Sequence, residues 1–164
     1  MTEHATKDYE CDLLLHTCCG PCLEWPVRLL LQEKQNLLIY YINPNIQPAV
    51  ENKRRLGNLK ILTHKLGLEL IADPICQPEI WQNWDDSVEA RCRMCYRRRL
   101  QATADKAIEL GIPAFSTTLL VSPWQDRDAI VEIGNRIARP AGLLFVDRDF
   151  RSGYREGQRL AKED

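Results

Sequence analysis

The segment at residues 16–22 has the sequence HTCCGPC and places three thiols within five residues. A second pair of cysteines, with two residues between them, follows in the later half of the chain. These five cysteines are Cys18, Cys19, Cys22, Cys92 and Cys95. Thiolate sulfur is a preferred ligand of zinc ions and of iron–sulfur clusters, so two separated groups of thiols predict a metal site. Five thiols exceed the four that a structural zinc ion uses, which favours a cluster with a second metal beside it.

Two other uses of these thiols stay open from the residues alone. A structural zinc–thiolate module that binds RNA without catalysis would use four of them. A thiol–disulfide oxidoreductase would use Cys19 and Cys22, because Cys-Gly-Pro-Cys is also the thioredoxin active-site sequence, but the second pair would then have no role. Side chains of adjacent residues diverge, so we expect Cys18 and Cys19 not to serve one small ion alike. The isolated Cys11 and Cys76 are better explained as small core residues.

Hydroxyl and guanidinium groups supply candidate contacts to a substrate. Three consecutive hydroxyl residues lie where a predicted strand ends, and they could hydrogen-bond phosphate or ribose oxygens. This hydroxyl triplet is Ser116, Thr117 and Thr118. Arginines crowd around the second cysteine pair, and we hypothesise that at least two of them contact phosphate. These arginines are Arg91, Arg93, Arg97, Arg98 and Arg99.

Short apolar segments alternate with helical ones along the chain. We predict strands at residues 12–17, 37–42, 68–72, 114–118 and 143–146. We predict helices from about residue 25 to 36, at 49–66, at 91–110, from Ser122 to before Pro140, and at 153–163. Residues 73–90 are predicted to be a loop with a short helix. Residues 18–24 are predicted to be a tight turn, because Pro26 would clash with the Cys22 carbonyl inside a helix.

This alternation predicts an α/β fold of three layers with a mainly parallel sheet of about five strands. With 164 residues, 45% of them hydrophobic, we expect a single domain over residues 1–164. Reactive groups in such folds gather beyond the carboxyl ends of the strands. The thiols and the hydroxyl triplet both fall at predicted strand ends, so we expect them at one rim of the sheet.

Composition and charge restrict the class of protein. The longest aliphatic and aromatic run, residues 37–42, is too short to span a membrane, and we expect a cytoplasmic protein. Seven cysteines in a reducing compartment favour metal binding or catalysis over a disulfide framework. Net charge is −1, but residues 1–90 carry 8 basic and 13 acidic side chains, whereas residues 91–164 carry 14 and 10. This asymmetry fits a polyanion bound on one side.

Five motifs, in this order and over nearly the whole chain, resemble those of the QueH-type epoxyqueuosine reductases, formerly a domain of unknown function. They are LHTCCGPC at residues 15–22, NPNIQP at 43–48 followed by Lys53-Arg54-Arg55, RCRMC at 91–95 with Arg99-Leu100, FSTTLLVSP at 115–123, and Asp149-Phe150-Arg151 with Gly153. Members of this family usually continue into a Tyr-Cys-Gly-Cys segment that adds two metal-site cysteines, and this sequence lacks it.

The resemblance implies a Rossmann-like (HUP-type) domain that carries a [4Fe-4S] cluster with an adjacent mononuclear iron. The implied activity is the last step of queuosine biosynthesis, the reduction of epoxyqueuosine to queuosine at the wobble position of tRNA. The positions that match the metal site of the family are Cys18, Cys19, Cys22, Cys92 and Cys95. The position of Cys22 is Cys or Asp in relatives, and both residues are plausible ligands of the second iron.

The implied chemistry needs two electrons and two protons to remove the epoxide oxygen as water. No motif for an organic cofactor is present, so we expect a cluster to pass electrons from an external donor while iron polarises the oxygen. The hydroxyl triplet and Arg151 would orient the nucleotide, and Asp149 is a candidate catalytic proton donor. Arg97 and Arg98 would bind the tRNA backbone next to an unpaired or flipped base, with affinity that falls as salt rises.

Overall fold

The computed structural model describes residues 11–44, 49–73 and 86–163. Residues 45–48 of the NPNIQP motif, most of the predicted loop at 73–90, and Cys76 lie outside these ranges. The strands of the described chain are β1 (Leu13–Thr17), β2 (Leu37–Ile42), β3 (Glu69–Asp73), β4 (Ala114–Thr117) and β5 (Leu144–Phe145). Its helices are α1 (Gly20–Gln32), α2 (Ala49–Lys65), α3 (Val88–Leu110), α4 (Arg127–Ala141) and α5 (Tyr154–Glu163). Short 3-10 segments cover Thr118–Val121 and Arg151–Gly153.

The strands form one sheet in the order β3-β2-β1-β4-β5, and every pairing is parallel. The predicted fold class is therefore confirmed. All residues of β1 and β2 are buried, which explains why apolar residues follow one another in both segments, at residues 13–15 and 37–42, rather than alternate with polar ones. A sheet buried on both faces needs a helical layer on each side. The single-domain boundary at residues 1–164 stays a prediction.

The strand order fixes which helices share a layer. The chain moves from β1 to β3 in one direction and from β4 to β5 in the other. Because parallel crossovers are right-handed, α1 and α2 lie on one face of the sheet and α3 and α4 on the other. The packing agrees, since α1 contacts α2 and α5 while α3 contacts α4. Among the described helices, none has both the length and the apolar character needed to cross a bilayer.

Helix α1 begins earlier than the sequence suggests. The prediction of a tight turn over residues 18–24 is wrong, because the helix starts at Gly20 with Cys19 as its N-cap and carries Pro26 inside. Pro21 occupies the first turn, where a missing N–H costs nothing. Pro26 removes one hydrogen bond to the Cys22 carbonyl without ending the helix. The early start places Cys22 in the first helical turn.

Helix α4 begins later than predicted and ends later too. The Ser122 hydroxyl accepts a hydrogen bond from the Trp124 amide (3.2 Å) and so closes a local turn. Asp126 is the N-cap, with its carboxylate accepting from the Ala129 amide at 3.1 Å. The helix passes through Pro140 and stops at Gly142, which has a left-handed φ of 69°. An aspartate with three free amides ahead of it is the better cap.

The other predicted elements agree with the structure to within a few residues. Ser87 caps α3 by accepting from the Ala90 amide (3.1 Å), so this helix starts before the predicted residue 91. The predicted helices at 49–66 and 91–110 are both followed by a glycine with positive φ, Gly67 and Gly111, close to the predicted ends. These ends matter because α3 carries the second cysteine pair and several arginines.

Helices α1 and α5 approach closely over a tryptophan. A Cβ atom added to Gly153 would lie 2.1 Å from indole atoms of Trp25, and one added to Gly157 would touch the Trp25 backbone and Cβ. Glycine is therefore required at residue 153 by the indole ring rather than by its backbone angles. This contact holds the last helix against the helix that begins at the thiols.

We expect Gly153→Ala to lower the free energy of unfolding by about 1–3 kcal/mol, because the added methyl group overpacks the Trp25 contact. Gly57→Ala is the matched control. Gly57 lies in α2, and a methyl group added there would meet no atom within 4 Å, so alanine should raise stability by up to about 1 kcal/mol. Urea unfolding of both variants measures the difference, and equal stabilities would contradict the described packing.

Candidate metal centre

The three thiols of Cys18, Cys19 and Cys22, the thiol cluster, lie where the sheet changes direction. Strands β1 and β4 are neighbours, but the chain leaves them toward helices on opposite faces. Such a topological switch point leaves a crevice at the carboxyl ends of the strands. Cys18 directly follows β1 and Thr118 directly follows β4. The sequence predicted this rim, and the strand order places the thiols at its centre.

The sulfurs of the thiol cluster converge. All three lie within 4.8 Å of one another, and the Sγ atoms of Cys18 and Cys19 are 3.9 Å apart. The expectation that these adjacent side chains diverge is therefore wrong. Strand alternation ends at Thr17, and Cys19 already serves as the N-cap of α1. Sulfurs around one tetrahedral ion lie about 3.8 Å apart, so this donor set fits a soft metal ion.

The thiol cluster favours one thiolate. Hydrogen bonds from the Cys19 and Cys22 thiols, the charge of Arg99 and the Thr118 hydroxyl lower the pKa of Cys18. The pKa of Cys19 rises to about 12, mainly because its proton is donated to Cys18, and the pKa of Cys22 rises for the same reason. A metal cation would replace these shared protons, which is how thiol sites couple metal binding to proton release.

The two cysteines of the second pair both lie on α3 but differ in exposure. Cys95 is partly buried, and burial raises its pKa, with the Cys18 charge adding to the effect. The two thiols are therefore close enough to interact electrostatically. Cys92, one turn earlier, is exposed. Cys95 thus lies within electrostatic range of Cys18, although its sulfur is not one of the three that converge within 4.8 Å, and Cys92 is exposed.

Arg99 places a positive charge inside this site. It follows Cys95 by one helical turn, and only 6% of the residue is exposed. Its charge lowers the pKa of Cys18 and opposes the rise at Cys95. By sequence, Arg99 belongs with the arginines expected near phosphate. Because Arg99 is buried, its charge acts on the thiols rather than on a phosphate at the surface. Its spacing of four residues from Cys95 places both side chains on one face of the helix, and this is the sequence signal that could have indicated the role.

A buried hydrogen-bond network joins the ends of β1, β2 and β4. The Nε2–H of His16 donates to the Ile42 carbonyl (3.0 Å), so its Nδ1 accepts from the Thr117 hydroxyl at 2.8 Å. The Thr118 hydroxyl accepts from the Cys18 amide at 3.3 Å and lies 3.6 Å from the Cys18 sulfur. These bonds fix the backbone from which the thiol cluster projects.

Asn43 braces the same backbone from β2. Its side-chain amide donates to the carbonyls of Thr17 (3.2 Å) and Cys18 (3.4 Å). Asn52 of α2 in turn donates to the Asn43 carbonyl at 3.2 Å and accepts from the Tyr41 hydroxyl. Residue types and spacing alone indicate no role for these side chains. Their signal is position, since Asn43 follows β2 as Cys18 follows β1.

The hydroxyl triplet is fully buried. Ser116, Thr117 and Thr118 have no exposed surface. The Ser116 hydroxyl donates to the Val146 carbonyl at 2.7 Å, and the two threonines belong to the network around Cys18. In this structure the triplet positions the chain itself, and its contact with a nucleotide stays a prediction.

Asp149 and Arg151 form a bidentate ion pair at the surface. The Arg151 guanidinium donates to the carboxylate at 2.8 and 2.6 Å, and the Arg151 amide donates at 3.0 Å. These bonds lower the pKa of Asp149 to about 2. A carboxylate that is ionised at neutral pH is a poor proton donor, so its protonation state does not favour the predicted catalytic role. The contact of Arg151 with a nucleotide stays a prediction.

Arg97 and Arg98 line an open cavity of about 510 Å³ beside α3. Both residues are exposed, and the cavity lining also includes the apolar Ile42 and Met94. Exposed guanidinium groups beside apolar side chains suit a nucleic-acid chain, which offers phosphates and bases together. Their role in substrate binding stays a prediction, and this geometry is compatible with it.

The chain is similar in sequence to a family of known proteins. The family model described as "Epoxyqueuosine reductase QueH" matches residues 13–164. A protein of Dehalococcoides mccartyi with the name epoxyqueuosine reductase QueH is 32% identical over 151 residues, which cover 92% of this chain and 83% of that protein. A protein of the same name from Thermotoga maritima is 32% identical over 162 residues, covering 92% and 82% of the two chains.

A third relative, epoxyqueuosine reductase QueH of Streptococcus pyogenes, is 29% identical over 164 residues. The match covers 92% of this chain but 64% of that protein. The similarity therefore covers all five strands, the thiol cluster and the helix that carries the second cysteine pair.

We expect His16 to destabilise the protein in acid. Burial, aided by the charge of Arg99, lowers its pKa from 6.5 to about 4. Between these two values the unfolded chain binds a proton that the folded chain does not, so stability falls as pH falls. The loss should be about 2–3 kcal/mol between pH 7.5 and pH 4.5, roughly the free energy of the shift.

Urea unfolding at these two pH values measures the effect. His16→Gln should show a smaller loss of stability in acid than the wild type. His64→Gln makes the same substitution at an exposed position of α2 and serves as the control. Equal pH dependence in the wild type and His16→Gln would contradict the assignment of a buried neutral imidazole.

Proposed function

Because the chain belongs to the epoxyqueuosine reductase QueH family, we propose that it reduces epoxyqueuosine to queuosine at the wobble position of tRNA by iron–sulfur chemistry. The protein is an oxidoreductase of queuosine biosynthesis. The observation that carries the mechanism is the thiol cluster, three sulfurs within 4.8 Å of one another at the switch point of the sheet. With a tRNA substrate, we also propose a cytoplasmic location.

The donor set suits the proposed cofactors, a [4Fe-4S] cluster with an adjacent mononuclear iron. The residues that would hold them are Cys18, Cys19, Cys22, Cys92 and Cys95. When bound, such iron centres supply single electrons and a Lewis acid for the epoxide oxygen. The chain supplies soft anionic ligands, and Arg99 offsets part of their negative charge.

The overall reaction consumes two electrons and two protons, and side chains of the protein hold the site in place while it occurs. Two electrons from an external donor and two protons convert the epoxide to an alkene and release its oxygen as water. The buried network of Thr117, Thr118 and His16 keeps Cys18 in place during this exchange, and Asn43 holds the backbone on its other side. Arg97, Arg98 and Arg151 are proposed contacts to the nucleic acid, and Asp149 orients Arg151.

Two rival functions make different predictions about metal. A structural zinc–thiolate module would contain stoichiometric zinc and no iron, and the 3.9 Å spacing of two sulfurs would accommodate such an ion. A thiol–disulfide oxidoreductase would contain no metal and would form a disulfide between Cys19 and Cys22. Iron, acid-labile sulfide and zinc analysis of the anaerobically purified protein separates all three functions.

We expect Cys18→Ser and Cys95→Ser each to lower iron and sulfide per chain by more than half, because each variant removes one soft ligand. Cys11→Ser is the matched control. Cys11 lies at the amino end of β1, roughly 20 Å of extended chain from Cys18, and should leave both contents unchanged. Colourless wild-type protein with zinc alone would contradict the iron–sulfur proposal.

The activity has its own test. Anaerobic protein, a tRNA that carries epoxyqueuosine, and a chemical reductant such as dithionite should yield queuosine, detected by mass spectrometry of the digested nucleosides. Cys18→Ser should lower the rate by at least about 100-fold, since it removes a group placed at the reacting centre. Iron-loaded protein that leaves epoxyqueuosine unchanged would contradict the proposed reaction.

A further inference from the structure

A second cavity, the thiol pocket, opens directly onto the thiol cluster. It has a volume of about 350 Å³ and lies between the N-terminus of α1, helix α2 and helix α5. Its walls are formed by Cys19, Gly20, Pro21, Cys22, Glu51, Arg54, Arg55, Asn58 and Gln158. The cavity beside Arg97 and Arg98 contains none of these residues. The thiols therefore face a different space from the one predicted to bind the substrate.

One wall of the thiol pocket is basic. The Glu51 carboxylate accepts hydrogen bonds from the Nε atoms of Arg54 and Arg55, both at 3.0 Å. Arg54 adds a second bond through its Nη2 at 3.1 Å. One carboxylate thus holds two guanidinium groups on one side of α2, and the three side chains carry a net charge of about +1.

The terminal nitrogens of Arg55 have no partner within the described ranges of the chain. Guanidinium groups donate through up to five N–H bonds, and Glu51 occupies the Nε–H. The outer N–H groups of Arg55 therefore remain as donors on the wall of the pocket. Planar donors of this kind are well matched to the oxygens of a phosphate group.

Another wall of the pocket carries the two thiols. Cys19 and Cys22 are only partly buried, in contrast to the buried Cys18, so their side of the thiol cluster faces the pocket. Asn58 and Gln158 add amide groups that both donate and accept hydrogen bonds. A ligand with a bulky polar group on one side and an anionic group on the other would satisfy both walls.

Resting on the proposed function, we propose that the thiol pocket receives the modified nucleoside and that Arg54 and Arg55 bind a phosphodiester next to it in the anticodon loop. Its volume lies within the usual range of about 300–1,000 Å³ for small-ligand sites. The epoxide-bearing ring then lies at the Cys19 and Cys22 wall, and the nucleic-acid backbone lies at the basic wall. Arg97 and Arg98 contact a more distant part of the same RNA.

Lys60 provides a control on the same helix. It is exposed and lies nine residues from Glu51, about 180° around the helix, so it points away from the thiol pocket. Replacing it with alanine removes one positive charge from α2 without touching the pocket. Arg55→Gln removes the charge of Arg55 but keeps a side chain that favours helix. If the double variant fails to fold, this single variant still tests the basic wall.

The experiment measures the binding of a fluorescein-labelled anticodon stem-loop RNA, with and without epoxyqueuosine, by fluorescence anisotropy at several salt concentrations. The proteins are the iron-loaded wild type, Arg54→Ala/Arg55→Ala, Arg55→Gln and Lys60→Ala. We expect the double variant to bind modified RNA at least about tenfold more weakly and to reduce the salt slope by about 1–2. Arg55→Gln should show a smaller loss, and Lys60→Ala should bind within about twofold of the wild type.

The visible spectrum of each variant shows whether the metal centre is intact. Equal affinity of the wild type and Arg55→Gln, or an equal loss in Lys60→Ala, would overturn the inference. A wild type that binds modified and unmodified RNA equally would also overturn it, because the pocket would then not hold the modified base. The conversion of epoxyqueuosine is measured separately, so failure of the proposed function appears as a wild type that binds but does not react.

Discussion

Three thiols converge at the end of a strand, and the rest of the structure accommodates the charge that this creates. A thiolate buried away from water is unfavourable unless hydrogen bonds or positive charge stabilise it. The structure provides the Thr118 hydroxyl, the guanidinium of Arg99 and the N-terminus of α1, each from a different element. All three stabilise negative charge on sulfur, so the site favours the thiolate, the form of cysteine that can bind a metal cation.

This constraint also explains why the sheet order matters. Only neighbouring strands can bring Cys18 and Thr118 together, and β1 and β4 are paired in register up to His16 and Thr117. Asn43 then ties the end of β2 to the same backbone. Ligands that project from a braced backbone need little reorganisation when a metal binds, which favours a defined geometry over a flexible one.

The apolar runs predicted the strands well, because a sheet covered on both faces imposes that pattern directly. They carried no information on strand order, so the meeting of Cys18 with Thr118 could not be predicted. Proline misled the prediction for α1, since one lost hydrogen bond at Pro26 is offset by packing of Trp25 against α5. The burial of the hydroxyl triplet could likewise not be predicted from the sequence, because the exposure of a residue at a strand end depends on which elements pack over it.

The run of three arginines on α3 shows how one helix can serve two purposes. Successive residues are separated by about 100° around a helix, so Arg97 and Arg98 face an open cavity while Arg99 turns inward to the thiols. Salt screens exposed charges far more than buried ones. Ionic strength should therefore act on whatever the exposed Arg97 and Arg98 bind, the proposed RNA contacts among them, while leaving the field of Arg99 at the thiol cluster nearly unchanged.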